Sequence, residues 1–153
     1  GFDIAPYRDD IQKADARHLP LKSNSVDFVF VDPPYSDHIE YSDDYRCIGK
    51  LSAFEPEYYE AMEQVISEIH RVLKPTKYMA LLVCDFFKYK KGFCPVGFEM
   101  FNILRKKFIP IDIICVHRRS GTLLRKNWHH EAIKGNFFLR EFNYLFIMQK
   151  PHK

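Results

Sequence analysis

The sequence predicts an α/β fold with a doubly wound sheet. Three observations carry this. Short runs of β-branched and aromatic residues recur along the 153 residues, amphipathic helical stretches separate them, and the run "VDFVFV" at 26–31 is apolar almost throughout. A continuous apolar run is the pattern of a strand covered on both faces, which implies a central parallel sheet with helices over both faces.

The elements follow in order. "GFDI" at 1–4 reads as the last turn of a strand, and "KADARHLPL" at 13–21 as a second short strand with a loop. "KSNS" at 22–25 has turn chemistry and leads into the strand 26–31. Residues 36–56 are polar and aromatic without a clean period, a length of plain connection that usually carries function. Helical spacing then takes over at 57–73, where Tyr58, Met62, Val65, Ile66, Ile69, Val72 and Leu73 fall on one face and Pro56 suits a first turn. "KPT" at 74–76 predicts its end. A buried strand is expected at 78–84, a second amphipathic helix at 98–107, a strand at 110–116 and a long apolar strand at 142–150.

Composition narrows the class. The length suits one domain, 1–153, and the charge of +3 from 23 basic and 20 acidic residues permits a nucleic-acid partner without demanding one. Cys47, Cys84, Cys94 and Cys115 lie far apart with no CxxC pair, so neither a zinc site nor a disulfide scaffold is expected. His129 and His130 are adjacent and have no spaced partners, and no metal is expected. No long apolar span suggests a membrane, and the acids at Asp3, Asp9, Asp10 and Asp15 argue against a leader there, so we expect a cytoplasmic protein.

The strand at 26–31 stops on "DPPY", and these four residues carry the chemistry. Ligands of open α/β sheets sit beyond the carboxyl ends of strands, where Asp32 stands. Pro33 and Pro34 fix their own φ and hold Asp32 and Pro33 extended, and Tyr35 adds a rigid ring. An acid, a rigid main-chain carbonyl and a flat ring together suit a heterocycle bearing an exocyclic amine.

"DPPY" after an apolar strand resembles the motif of S-adenosyl-L-methionine-dependent methyltransferases that modify adenine N6 or cytosine N4 in DNA, shared by some RNA guanine methyltransferases. "ADARHLPLKSNSVDFVFVDPPY", "EIHRVLKP" and "FNYLFIMQK" extend the likeness over most of the chain. It implies a Rossmann-like methyltransferase sheet, mostly parallel with an antiparallel closing strand. By that resemblance Asp32, Pro33, Pro34 and Tyr35 are catalytic, while Asp3, Asp15, Ala16 and Asp32 contact the cofactor. Asp3 matches the acid that holds the ribose hydroxyls, and Asp15 the acid near the adenine amino group. The glycine-rich loop of such enzymes, expected ahead of Asp3, is not in the sequence, and no FxGxG-like stretch follows. We therefore expect a truncated chain without its first strand and helix, completed by a missing N-terminal segment or a partner chain.

DNA is the expected partner, with Arg118, Arg119, Arg125 and Lys126 neutralising phosphates, Trp128 packing or stacking beside them, and Tyr41 and Tyr45 as loop aromatics near a flipped base. Phe86 and Phe87 would wall the substrate side. Two rival readings are an RNA base methyltransferase and a non-catalytic, nucleic-acid-binding subunit that keeps the fold.

Overall fold

The structure of the chain is a computed structural model that describes residues 1–117 and 128–152. Two very short strands come first, β1 (Phe2–Asp3) and β2 (Gln12–Lys13), paired parallel with Asp3 opposite Lys13. β3 (Val26–Val31) follows, and a single 3-10 turn at Ile48–Lys50 interrupts the loop beyond it. Next come α1 (Pro56–Val72), β4 (Leu73–Val83), the hairpin strands β5 (Phe86–Lys88) and β6 (Gly92–Cys94), and α2 (Val96–Leu104). β7 (Ile109–His117), α3 (Trp128–Gly135) and β8 (Phe142–Gln149) complete the described elements.

The main sheet runs β3-β4-β8-β7. β3 and β4 are parallel, with Val31 opposite Leu81, while β8 lies antiparallel to both β4 and β7. Paired residues point to the same side of a sheet. Val29, Val31, Met79, Leu81, Val83, Phe146 and Met148 therefore share one face, and α1 and α2 pack on it through Met62, Val65, Ile66, Ile69, Met100 and Leu104. Each fully buried aliphatic side chain among them contributes about 1.5–3 kcal/mol. This face is the core.

The expectation that β3 is covered on both faces needs correction. Phe28 and Phe30, on the side opposite the core, are 55% and 57% exposed. The described helices of the core, α1 and α2, both take the other side, so the apolar run of β3 is buried on alternate residues only.

α1 ends without a loop, its last residue Val72 running straight into β4. Lys150, just past β8, closes that end. Its buried ammonium donates to the carbonyls of His70 and Leu73 at 2.5 and 2.7 Å and to the Asn24 side-chain oxygen at 2.8 Å. A cation there also meets the negative end of the helix dipole.

Candidate active site

Parallel pairing of β3 with β4 points the carboxyl end of β3 at the rim of the sheet, where Asp32, Pro33, Pro34 and Tyr35 follow. Pro33 is buried. The Tyr58 hydroxyl, itself buried in α1, donates to the Pro34 carbonyl at 2.7 Å and so pins the main chain of the motif to the core. Burial drives the Tyr58 hydroxyl far above its ordinary pKa, which keeps it a donor.

The Tyr35 ring packs against the core, and its hydroxyl donates to Asp32 Oδ1 at 2.7 Å. Asn143 of β8 reaches the same hydroxyl from its side-chain nitrogen at 3.5 Å, the outer limit of a hydrogen bond. The tyrosine expected as a stacking surface thus holds the carboxylate in place here. Among the described residues no donor takes Asp32 Oδ2, so one carboxylate oxygen faces outward with acceptor capacity.

A cavity of about 430 Å³ opens beneath this motif, and it gathers residues far apart in sequence. Asp32 to Tyr35 form one wall, Phe2, Asp3 and Ile4 a second, Ala14, Asp15 and Ala16 a third, and Met62 and Val65 of α1 the floor. Tyr41, Arg46, Cys47 and Ile48 close it from the long loop. Every residue proposed from the sequence as catalytic or cofactor-contacting lines this one space, as does Tyr41. Its volume falls in the range of small-molecule sites.

The electrostatics differ along the cavity. Asp3 Oδ1 accepts the Ala5 amide at 2.8 Å, a turn that leaves the carboxylate at the carboxyl end of β1. Asp15 accepts from Arg17 on both oxygens, with contacts of 2.9 and 2.7 Å, and these bonds hold its carboxyl below the usual carboxylate range. Arg17 in turn donates to the Arg46 carbonyl at 2.8 Å and so ties the third wall to the loop. A ligand amino group at Asp15 has to share it with Arg17. The Tyr41 hydroxyl is raised above its ordinary pKa by burial and then by the Asp32 charge.

The long loop is not slack. Ser36, fully buried, accepts the Ala53 amide on its hydroxyl at 2.9 Å and donates to Asp37 at 3.0 Å. Gly49 lets the Tyr41 ring lie directly over it, because a Cβ there would stand 2.6 Å from that ring and 3.2 Å from Pro34. Tyr45, by contrast, is 87% exposed and stands outside the cavity, with the Arg46 guanidinium over its ring. Phe86 packs edge-on against His38 and Phe54 beside the motif, whereas Phe87 stacks on Phe137. Arg118, Arg119, Arg125 and Lys126 lie outside the described residues.

Sequence reading did not single out Tyr58 in this role, nor Arg17, Ser36 or Asn143. Tyr58 counted only as one apolar position in a helical stripe, and the ties of Arg17 to Arg46, of Ser36 to Ala53 and of Asn143 to Tyr35 span 29, 17 and 108 positions, with no local signal. Among the described residues no three His, Cys, Asp or Glu side chains converge as a metal site would need, and no described helix is long and apolar enough to cross a membrane.

The donor set suits a nucleoside-bearing cofactor. Two carboxylates at the ends of neighbouring parallel strands can accept hydroxyl or amino donors, and Phe2, Ile4, Phe30 and Pro34 offer apolar walls for a flat ring.

Comparison with known proteins bears on the fold and the family. A presumed DNA modification methylase of Thermus thermophilus, solved with S-adenosyl-L-methionine, superposes with a TM-score of 0.63 at 20% identity, covering 90% of this chain and 53% of that one. A second structure of the same protein gives 0.62 at 22% identity, so the chain spans about half its length (50%). A SAM-dependent methyltransferase of Methanosarcina mazei gives 0.55 at 14% identity, with 94% and 68% of the two chains covered. These likenesses show the Rossmann-like methyltransferase fold. No curated protein sequence matches the chain. The family model for DNA methylases of the N6/N4 type matches residues 26–153, from the first residue of β3 onward. The chain therefore belongs to the N6/N4 DNA methylase family.

Proposed function

We propose that this chain transfers a methyl group from S-adenosyl-L-methionine to an exocyclic amino group of a DNA base, adenine N6 or cytosine N4. One observation carries the reading. The Asp32 carboxylate, braced by the Tyr35 hydroxyl at 2.7 Å, stands at the wall of a cavity that also holds Asp3 and Asp15.

Asp3 and Asp15, with the backbone beside Ala16, are the residues that would hold the cofactor. Bound there, it supplies a methyl group on a sulfonium already activated for transfer. The protein's task is then to correct a poor nucleophile, since the lone pair of a base amino group is delocalised into its ring. Asp32 Oδ2 accepts one N–H and the Pro33 carbonyl the other, which favours a pyramidal nitrogen with its lone pair aimed along one direction; when the methyl leaves sulfur for nitrogen, the surplus amino proton passes to Asp32 or to water. Positioning of this kind contributes up to about 7–11 kcal/mol when alignment is near ideal.

Tyr35 keeps the carboxylate oriented, and Tyr58 keeps the main chain of the motif from shifting. Tyr41 walls the base. In a duplex the target nucleotide has to leave the stack to reach Asp32. A partner segment bearing the glycine-rich loop fits the same reading, since the outer edge of β3 pairs with no described strand and Phe28 and Phe30 stand bare beside it.

Calorimetric titration of the 153-residue protein with S-adenosyl-L-methionine, alongside Asp3→Ala, tests cofactor binding, and transfer of labelled methyl groups to DNA tests the reaction. Saturable heat that weakens in Asp3→Ala, with label entering DNA, is the expected result. Heat unchanged in Asp3→Ala would overturn the assignment of that wall to the cofactor.

A further inference from the structure

The hairpin β5–β6 has no part in the cavity, yet it carries a run of basic residues. Residues 86–94 read "FFKYKKGFC", three lysines and no acid. The Lys88 ammonium pairs with Asp37 at 3.1 Å, and the Phe86 ring meets His38 edge-on at 4.7 Å. Asp37 and His38 follow Tyr35 and Ser36 directly, so the hairpin and the catalytic motif form one rim.

The hairpin is also firmly held. Its turn places Lys90 and Gly92 at positive φ, 68° and 88°, and Phe87 stacks on Phe137 at 4.9 Å with the rings 14° from parallel. That stack brings the segment before β8 alongside, and Arg140 lays its guanidinium 4.5 Å over the Phe93 ring. Lys91 sits 5.3 Å over Phe54.

Among the described residues, Lys90, Lys91 and Arg140 form no salt bridge, so their charge is not spent within the fold. Exposed rings accompany them: Tyr89 is 76% exposed, with the Lys90 ammonium 6.0 Å over it, and Phe138 is 86% exposed. Cations without a carboxylate partner beside exposed rings match a phosphodiester chain and its bases, because the cations neutralise phosphates and any base can stack on a ring.

We infer that the β5–β6 hairpin, with Arg140 and Phe138, grips the DNA backbone next to the target nucleotide. This inference rests on the methyl-transfer reading for the choice of DNA. It assigns binding to residues other than the basic segment at 118–126.

Fluorescence anisotropy of the 153-residue protein with a short labelled duplex, over a series of salt concentrations, tests it. In Lys90→Gln/Lys91→Gln/Arg140→Gln we expect affinity to fall at least tenfold, and the slope of log K against log salt to shrink by about 2–3, near 0.9 for each phosphate no longer neutralised. Tyr89→Ala/Phe138→Ala should weaken binding about tenfold with the slope unchanged, since stacking releases no counterion. Thermal unfolding of each variant checks that it is folded.

Unchanged affinity and slope in the folded triple variant overturn the inference, as does a parent protein that holds no DNA at low salt. Displacement of the duplex by polyglutamate as readily as by unlabelled duplex overturns it too. A chain that grips DNA through the hairpin but gives no heat with S-adenosyl-L-methionine leaves this inference standing and sinks the claim that this chain transfers methyl groups by itself.

Discussion

The Asp85 carboxylate accepts the Gly97 amide at 2.8 Å, joining the residues just past β4 to the first turn of α2. Its second oxygen takes the Tyr144 hydroxyl at 3.0 Å, so one buried acid caps a helix and fixes a ring of β8. Asp85→Ala removes a cap and strands a hydroxyl. We expect a loss of about 2–4 kcal/mol by urea unfolding. Tyr144→Phe should cost less alone, and the double variant less than the sum, because both remove one shared bond.

Burial, and after it the charge and hydrogen bond of Asp85, push the Tyr144 hydroxyl up to about 12. Its folded value lies above the unfolded value of about 10. The stabilisation tied to the neutral hydroxyl is therefore complete below about pH 10 and is lost as pH rises through about 12. Tyrosinate absorbance of the parent minus that of Tyr144→Phe should show one late titration. In Asp85→Asn that step should move to lower pH, and a step that stays put would rule out the Asp85 contribution.

Tyr35→Phe deletes the bond that orients Asp32 and leaves the ring in place. Loss of a hydrogen bond to a charged group corresponds to about 1.5–3 kcal/mol, or roughly tenfold to a hundredfold in kcat, with cofactor heat near the parent's. Asp32→Ala should abolish transfer. Equal kcat for Tyr35→Phe and the parent would remove the hydroxyl from the mechanism.

Gly49→Ala puts a methyl group 2.6 Å from the Tyr41 ring, backed by Pro34 at 3.2 Å. The ring has to leave the cavity wall, at a cost of about 1–3 kcal/mol for overpacking. Adding Tyr41→Ser should restore much of the stability without restoring methyl transfer. A Gly49→Ala protein as stable and active as its parent would mean that the ring moves freely.

Much of this is legible in the sequence, for local reasons. Val26–Val31 has a β-branched run and a proline stop, and the stripe from Tyr58 to Val72 has helical spacing, so both elements match the sequence reading. The start of β4 does not. Lys74, Pro75 and Thr76 read as a stop, but the chain carries them through an irregularity where the register with β3 jumps from Val26–Leu73 to Phe28–Tyr78 and Thr76 takes φ 65°. α2 begins at Val96, ahead of its expected start at 98, because Asp85 caps its first turn through Gly97, 12 positions further along the chain. The bare side of β3 is illegible for a different reason. An apolar run states that both faces are greasy and cannot state which face a helix will cover. In the site, the motif itself announces Asp32, but its bracing by Tyr58 and Asn143 depends on hydrogen bonds across 24 and 108 positions.

β8 stands between β4 and β7, so the middle of the sheet is contributed by the last of the described strands. Lys150 beyond it seals the end of α1 across a separation of 80 positions. During synthesis β4 and β7 both emerge before the strand that joins them, and they have no ladder with each other to fall back on. Their edges must wait for it. High contact order of this kind slows folding, and it makes arrival of β8 the event that completes the four-stranded sheet.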